Sequence, residues 1–198
     1  MICVPLQSEI TRMKHLINNS LAIELIAEKH LDQLIALVSN NRLYLREWLT
    51  WVDDLKSSDD FKRFITNSEE QNKNGSHYSC VIIENEKVIG RIGLYRMDHL
   101  NRIASIGYWV GELWEGKGIV SKACEAILQH GFETLQLNRI EIHCATGNSK
   151  SLSIPKRLGF QREGIMRQAE LLNGQFVDHY CYSMIHEEWL ESYSESKK

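Results

Sequence analysis

The most constraining feature of this 198-residue chain is a predicted strand that leads into a glycine-rich turn, which in turn opens a helix. The strand is predicted at Arg102–Val110 and the turn at Gly116-Lys117-Gly118. Backbone N–H groups at the start of a helix lack intrahelical partners, and together with the helix dipole they form an anion site. Glycine allows an anion to approach the backbone because it has no Cβ. The pattern therefore predicts a phosphate-binding turn, with Lys117 adding charge at its rim.

Two other interpretations of this turn have to be weighed. A Gly-x-Gly sequence is often only a tight turn, and alone it indicates a ligand in about half of cases at best. Residues 111–117 also match the GxxxxGK pattern of a nucleotide-binding P-loop. Gly118, however, stands where a P-loop needs the Ser or Thr that holds Mg²⁺. The later strand, Arg139–Ala145, does not end in a metal-binding Asp either, so we reject a nucleoside-triphosphatase.

A second group of polar residues follows that later strand. Asn148 is expected to cap a short helix, and Gly159 suits the position just after its end. Pro155 lies inside the predicted helix and cannot donate a hydrogen bond to Ser151, so the helix is expected to be short or kinked there.

The order of predicted elements indicates one mixed α/β sheet. Strands are expected at 21–26, 79–83, 88–95, 102–110, 139–145, 160–170 and 175–185, the last two around the hairpin turn Asn173-Gly174. Helices are expected at 31–38 and 44–49, after the capping box Ser57…Asp60, at 120–135 and just before Gly159. We expect an N-terminal arm at 1–20, one domain at 21–190 and a charged tail at 191–198.

Composition excludes several classes of function. The chain is 43% hydrophobic and 25% charged with a net charge of −3, which does not favour nonspecific nucleic-acid binding. Its first residues lack the apolar run of a secretory signal, and its apolar runs are too short for a membrane span. The eight histidines show no metal-ligand spacing, and the five cysteines are odd in number with no CxxC pair, so neither a metal site nor a disulfide framework is predicted. The cysteines are Cys3, Cys80, Cys124, Cys144 and Cys181.

Four stretches of the chain together resemble one family. They are Asn41-Arg42…Leu45…Trp48-Leu49-Thr50-Trp51, the turn Glu115-Gly116-Lys117-Gly118-Ile119-Val120, Asn148-Ser149-Lys150-Ser151 followed by Leu158-Gly159-Phe160, and Gln168-Ala169-Glu170-Leu171-Leu172-Asn173. They are similar to motifs of the GNAT acetyltransferase superfamily, and in particular of its RimJ/RimL type, from about Leu21 to Trp189. The turn departs from the family pattern Gln/Arg-x-x-Gly-x-Gly/Ala, because Glu115 replaces Gln or Arg and Val120 replaces a small residue.

The resemblance implies the fold and the cosubstrate. A GNAT fold has a central mixed, mostly antiparallel twisted sheet that is flanked by helices and splayed to admit acetyl-CoA. The turn would hold the pyrophosphate of coenzyme A, and Asn148 would contact the pantetheine arm. The cofactor-binding residues expected are Trp109, Val110, Glu115, Gly116, Lys117, Gly118, Ile119, Val120, Asn148 and Ser151. Glu115 places a negative charge near the pyrophosphate, so we expect its carboxylate to point away.

The resemblance also implies the chemistry. Glu170 matches a proposed general base, and Ser151 matches the residue near the thioester sulfur, where it can stabilise the leaving thiolate. A backbone N–H near Val110 is expected to stabilise the oxyanion. Trp51 and Glu170 are expected to contact the acceptor. Acetyl would pass directly from acetyl-CoA to the amine with both substrates bound, without a metal ion.

The acceptor implied is the N-terminal Ser or Ala of a ribosomal or other protein, acetylated in the cytoplasm. The sequence is compatible with a homodimer, and neither a nucleic acid nor a membrane is expected as a partner. One alternative is a small-amine acceptor, a polyamine or an aminoglycoside, for which the carboxylates Asp53, Asp54, Asp59 and Asp60 are candidates. The other is an acetyl-CoA-binding protein without useful turnover, which the presence of both Ser151 and Glu170 disfavours.

Overall fold

An eight-stranded sheet organises residues 14–195, the part of the chain that the computed structural model describes. The strands are β1 Lys14–Leu16, β2 Leu21–Leu25, β3 Tyr78–Glu84, β4 Lys87–Asp98, β5 Ile103–Val110, β6 Arg139–Ala145, β7 Gln161–Leu172 and β8 Gln175–Ile185. The helices are α1 Leu31–Asn40, α2 Arg42–Arg46, α3 Ser58–Lys73, α4 Ile119–Gln129, α5 Ser149–Arg157 and α6 His186–Glu195. Short 3₁₀ turns lie at Glu28–His30, Thr50–Asp53 and Glu112–Trp114, and a π-helical turn at His130–Thr134 extends α4.

The strand order β1-β2-β3-β4-β5-β6-β8-β7 contains one parallel pair, β5 with β6. These two strands pair only from Ile103↔Arg139 to Ser105↔Glu141. Their remaining residues, 106–110 and 142–145, have no cross-strand partner in that pair. The sheet therefore splits at the carboxyl ends of β5 and β6, and this gap is where a ligand can enter the sheet.

Helices cover the two faces of the sheet through two apolar cores. One core is formed by α4, α5 and α6 against the sheet, and includes Ile127, Leu152 and Trp189. The other is formed by α1, α2 and α3, and includes Leu34 and Phe61. Because strand residues alternate between faces, neighbours on β3 enter different cores. The mixed, mostly antiparallel sheet flanked by helices is confirmed.

Most predicted elements lie within a few residues of the observed ones. The capping box of α3 is confirmed, since Ser57 Oγ accepts from the Asp60 N–H and the Asp60 carboxylate accepts from the Ser57 N–H. β1 is not predicted, because three mostly exposed residues carry no clear apolar pattern. α6 is not predicted either, since Trp189 is its one deeply buried residue among those whose side chains are described.

The predicted terminal segments are only partly covered by the structure. β1 lies inside the arm predicted at 1–20, whereas residues 1–13, including Cys3, are outside the described residues. α6 extends to Glu195 within the predicted tail, and residues 196–198 are outside the described residues. The division into arm, domain and tail stays a prediction. None of the helices described between residues 14 and 195 has the length and apolar composition that a membrane span requires.

Candidate active site at the split in the sheet

A cavity of about 820 Å³ occupies the gap between β5 and β6. Its walls come from the carboxyl ends of both strands, the glycine turn, the first turns of α4 and α5, the loop after α2 and the β7–β8 hairpin. The two candidate catalytic residues, Ser151 and Glu170, both line it. The structure therefore brings together the glycine turn and two motifs that begin thirty or more residues further along the chain.

The glycine turn presents the N-terminus of α4 to this cavity. Gly116 and Gly118 both have left-handed backbones, with φ of 69° and 72°, which favour glycine. The first hydrogen bond of the helix runs from the Lys122 N–H to the Gly118 carbonyl, 3.2 Å. The N–H groups of residues 119–121 precede that bond and are the unpaired donors of the helix start. A Cβ at either glycine would meet no atom within 4 Å, so the space above the turn is open to an anion.

Arg157 adds a positive charge beside these amides. Its guanidinium donates a 2.8 Å hydrogen bond to Ser121 Oγ in the first turn of α4, and the residue lines the cavity. Lys117, the cation expected at the rim, is exposed and is not one of the cavity residues. Sequence reasoning missed Arg157 because its position in the last turn of α5 is also typical of a helix C-terminus.

The carboxylate of Glu115 is engaged by two partners. The Tyr44 hydroxyl donates to one oxygen and Lys150 Nζ to the other, both at 2.6 Å. Partial burial raises the pKa of Glu115, but the hydrogen bonds from Lys150 and Tyr44 outweigh it and hold the pKa below its ordinary value. The negative charge that replaces Gln or Arg in the turn is thus paired with a lysine. The network also joins α2, the turn and α5 across the mouth of the cavity.

Two hydroxyl groups and a thiol meet where α5 approaches β5. Ser151 Oγ lies 3.2 Å from the Tyr108 hydroxyl and 3.1 Å from Cys144 Sγ. Asn148 Oδ1 accepts a 3.0 Å hydrogen bond from the Ser151 N–H, which fixes the start of α5. Burial raises the pKa of Tyr108 well above its ordinary value, so its phenol stays protonated and can donate.

Pro155 explains how Tyr108 is positioned. Proline has no N–H, so the carbonyl four residues earlier, that of Ser151, has no partner from the helix backbone. The Tyr108 hydroxyl donates to this carbonyl at 3.1 Å. α5 continues through Pro155 to Arg157. The proline that was expected to shorten or kink the helix therefore frees an acceptor for Tyr108 at the site.

The backbone of β5 offers a further donor to the cavity. The Gly111 N–H donates to Ile89 O on β4, 2.9 Å. Successive N–H groups of an extended strand point to opposite sides, so the Val110 N–H points away from β4 and toward the gap. Val110 and Trp109 both line the cavity. This geometry suits the oxyanion donor expected near Val110.

Glu170 reaches the cavity from the β7–β8 hairpin, where it is paired with a histidine. His179 Nε2 lies 3.0 Å from Glu170 Oε2. The β7–β8 register breaks between Met166 and Glu170, and Gln168 in this bulge has a φ of 51°. The Gln168 N–H donates to Asp178 Oδ1 at 2.8 Å, which anchors the bulge. Bulges of this kind re-aim side chains, and here Glu170 and His179 both line the cavity.

Trp51, expected in the acceptor pocket, is not a cavity residue. Its ring packs against Trp109, with centroids 5.6 Å apart, and against Phe64 at 6.3 Å. Trp48 lines the cavity instead and lies over Gly147. Trp51 therefore supports the wall from behind Trp109, and its contact with an acceptor stays a prediction.

The four aspartates considered for a small-amine site do not line the cavity. Asp60 caps α3, and Asp53 forms a 2.8 Å ion pair with Arg46. Tyr108, His179 and Arg157 are among the cavity residues that sequence reasoning did not assign to the site. For the strand residues Tyr108 and His179, periodicity alone was a weak signal, because half the residues of each strand face either way.

The chain and its fold are similar to known proteins. Residues 20–161 match the family described as Acetyltransferase (GNAT) domain. The chain is 33% identical to the putative ribosomal N-acetyltransferase YdaF of Bacillus subtilis over 174 residues, which are 87% of this chain and 95% of that protein. It is 31% identical to the ribosomal-protein-serine acetyltransferase of Escherichia coli over 169 residues, 85% of this chain and 94% of that protein.

Two solved structures with bound ligands share the fold. RimL, the ribosomal L7/L12 α-N-protein acetyltransferase in complex with coenzyme A, has a TM-score of 0.86 at 26% identity. The microcin C7 self-immunity acetyltransferase MccE, in complex with acetyl-CoA and AMP, has a TM-score of 0.83 at 28% identity. In each case the similarity covers 89% of this chain and 99% of the other.

Proposed function

The chain belongs to the GNAT family of acetyltransferases and is an acetyl-CoA-dependent N-acetyltransferase, and we propose that its acceptor is the N-terminal α-amine of a protein. The observation that carries the proposal is that one cavity holds an anion-binding helix start, the Ser151–Tyr108 pair and the Glu170–His179 pair. These are the parts needed to bind coenzyme A, stabilise a leaving thiolate and take a proton from an amine.

The cofactor side of the proposal rests on the turn before α4. The N–H groups of residues 119–121 and the guanidinium of Arg157 would hold the pyrophosphate, since the amides open the helix beside glycines that lack a Cβ and Arg157 lines the same cavity next to Ser121. Asn148 is already used as the cap of α5 through its Oδ1, which leaves its side-chain NH₂ free to contact the pantetheine arm. Acetyl-CoA, when bound, supplies the thioester that is attacked.

The chemistry proposed for the acceptor side starts with proton removal. An N-terminal amine has an ordinary pKa of about 7.7–8.0, so a large share of it is protonated at neutral pH. Glu170 takes that proton, directly or through water. His179, 3.0 Å away, holds the carboxylate in its orientation. The amine then attacks the thioester carbonyl, and no covalent enzyme intermediate is required.

The two remaining steps fall to groups on β5 and α5. The Val110 N–H stabilises the oxyanion that forms on the attacked carbonyl. The Ser151 hydroxyl donates to the departing thiolate, while the Tyr108 hydroxyl donates to the Ser151 carbonyl and lies 3.2 Å from Ser151 Oγ, which keeps Ser151 in position. Because both substrates are bound together, most of the rate enhancement comes from positioning.

The identity of the acceptor is supported by the relatives. YdaF and the Escherichia coli enzyme are both named for ribosomal proteins, the latter for a serine acceptor. We propose that this chain likewise acts in the cytoplasm on a ribosomal or similar protein that begins with Ser, Ala or Thr. A small-molecule acceptor is the second candidate, because MccE has the same fold at a similar identity and is named for immunity to microcin C7.

The test is acetyl transfer from acetyl-CoA to a matched panel of acceptors. Peptides that begin with Ser, Ala or Thr should give a higher kcat/KM than spermidine or an aminoglycoside. The matched control is the same peptide with its N-terminus already acetylated and a lysine retained, which should not react. If spermidine or the aminoglycoside has the higher kcat/KM, the N-terminal proposal is wrong and the small-amine candidate replaces it.

A further inference from the structure

Three potential metal ligands meet on the face of β6 and β8 that lies opposite the α4–α6 core. Ile140, Ile142 and Cys144 of β6 point into that core, so the intervening Glu141 and His143 point to the other face. Cys181 on β8 is directly opposite His143 in the register. One donor atom from each of Glu141, His143 and Cys181 lies within 4.8 Å of the others, and all three residues are half-buried.

From this cluster we propose a binding site for a thiophilic divalent cation of the zinc type, with Glu141, His143 and Cys181 as ligands. Glu141 and His143 are two residues apart on one strand, and Cys181 is the cross-strand partner of His143. The three ligands therefore form a triangle on a rigid sheet. Thiolate sulfur, imidazole nitrogen and carboxylate oxygen are the three ligand types that zinc takes, at about 2.0–2.3 Å. Donor atoms within 4.8 Å of one another need only small side-chain movements to reach that geometry.

The surroundings of the cluster orient the carboxylate ligand. Arg139 Nε donates to Glu141 Oε1 at 2.8 Å, whereas Glu141 Oε2 faces His143 Nε2 at 3.1 Å. Arg139 is held in turn by Glu163, at 2.7 and 2.5 Å. One oxygen of Glu141 is thus fixed by a partner outside the cluster, and the other points to the shared space. Partners that fix a ligand in this way are typical of metal sites.

The donor set also selects the kind of cation. A thiol and an imidazole disfavour Mg²⁺ and Ca²⁺, which take oxygen ligands. Three protein ligands leave a fourth tetrahedral position for water. The site adjoins the catalytic cavity, since His143 also lines it, but the cation is not part of the acetyl transfer described above. Cation binding at this cluster can therefore be tested independently of the acceptor.

The experiment uses the metal-free protein, kept reduced by a phosphine. Cobalt(II) chloride serves as the spectroscopic probe. Zinc affinity is measured with zinc chloride in competition with a chelating dye. Cobalt should bind one per chain and give the near-ultraviolet charge-transfer absorption of a thiolate ligand, and zinc should displace it. Cys181→Ser should abolish that absorption. Because even changes around a ligand typically weaken metal affinity by about 10–100-fold, loss of Cys181 or His143 should weaken zinc binding by at least ~10-fold.

Matched variants decide where the ion binds. Cys3→Ser and His99→Gln change the same residue types at positions other than the three proposed ligands, and should leave both the absorption and the zinc affinity unchanged. Circular dichroism should show that Cys181→Ser and His143→Gln are folded before their affinities are compared. Persistence of the thiolate absorption in Cys181→Ser, its loss in Cys3→Ser, or the absence of cobalt and zinc binding by the native chain would each overturn the proposal.

Discussion

The two halves of the catalytic cleft are built in different ways. The cofactor half consists mainly of backbone: two left-handed glycines and the amides that open α4. The acceptor half consists of side chains on the β7–β8 hairpin, whose outer strand β7 is largely exposed. Its tip is held to the end of α2 by a 3.2 Å hydrogen bond from Asn173 Nδ2 to the Arg46 carbonyl.

This difference determines which substitutions each half of the cleft tolerates. Backbone amides bind an anion whatever the neighbouring side chains are, so Glu115 and Val120 can depart from the family pattern while the turn persists. Glu115 is in addition neutralised by Lys150. In the proposed mechanism the acceptor half tolerates fewer substitutions, because its chemistry depends on the carboxylate of Glu170 and on the bulge that orients it. We therefore expect acceptor-side changes to affect kcat and cofactor-side changes to affect coenzyme A affinity.

The largest expected effect is that of Glu170→Gln. The amide cannot accept the amine proton, so kcat should fall by about 10²–10⁴-fold, the usual range for a general base. Coenzyme A affinity should not change, since Glu170 belongs to the acceptor half. The loss should be greatest at low pH, where the acceptor is protonated, and should shrink as pH rises through the amine pKa of about 7.7–8.0. A pH–rate profile with one N-terminal peptide measures this.

Glu163→Gln is the matched control for that experiment. Glu163 is on the same strand but is paired with Arg139 and does not line the cavity. Its kcat and pH profile should remain near those of the native enzyme. Near-native activity of Glu170→Gln from about pH 6 to 9 would remove Glu170 from the mechanism, and proton loss to solvent would then suffice.

An intermediate effect is expected for Gly118→Val, which tests the cofactor half. A valine cannot easily adopt the φ of 72°, and its side chain would occupy the open space above the turn. If two amide hydrogen bonds to the pyrophosphate are lost at about 1.5 kcal/mol each, coenzyme A affinity should fall on the order of a hundredfold. Isothermal titration calorimetry with coenzyme A measures this directly.

Gly159→Val separates backbone strain from ligand contact. Gly159 has a similar φ of 80° and equally open surroundings, but it follows α5 and does not line the cavity. Both valine variants should lose stability, by roughly 1–2 kcal/mol of unfolding free energy. Only Gly118→Val should lose coenzyme A affinity. If the two variants bind coenzyme A with equal affinity, the pyrophosphate does not bind at the turn before α4.

The contrast also explains what could be read from the sequence. The cofactor half can be predicted from local sequence, because a left-handed turn before a helix requires glycines at a fixed spacing. The strands β6 and β8 were predicted with their observed bounds for a similar reason, since apolar alternation and the Asn173-Gly174 turn are local. Glu170 was identified only through resemblance to a family.

The rest of the site depends on packing between distant segments. No local sequence pattern indicates that His179 contacts Glu170 across a bulge. Nor does one indicate that Pro155 leaves the Ser151 carbonyl available to the Tyr108 hydroxyl. The choice between Trp48 and Trp51 depends on which ring faces the gap, and the structure has Trp48 facing it. The Glu141–His143–Cys181 cluster joins two strands nearly forty residues apart, so no ligand spacing could reveal it.

The smallest effect is expected at Ser151, between the two halves. Ser151→Ala removes the proposed hydrogen bond to the leaving thiolate, and such bonds to charged groups contribute about 1.5–3 kcal/mol. We expect a decrease in kcat at the low end of that range, roughly tenfold, because the Tyr108 hydroxyl lies 3.2 Å from Ser151 Oγ and can take over part of the role. High pH should rescue this variant less than Glu170→Gln, since deprotonating the acceptor does not help the leaving group. The measurement is a double-mutant cycle with Tyr108→Phe in the same pH–rate assay. If the hydroxyls substitute for each other, the double variant should lose more activity than the product of the two single losses. Simple multiplication of the single losses would mean that Tyr108 only positions α5 through the Ser151 carbonyl and does not serve the thiolate.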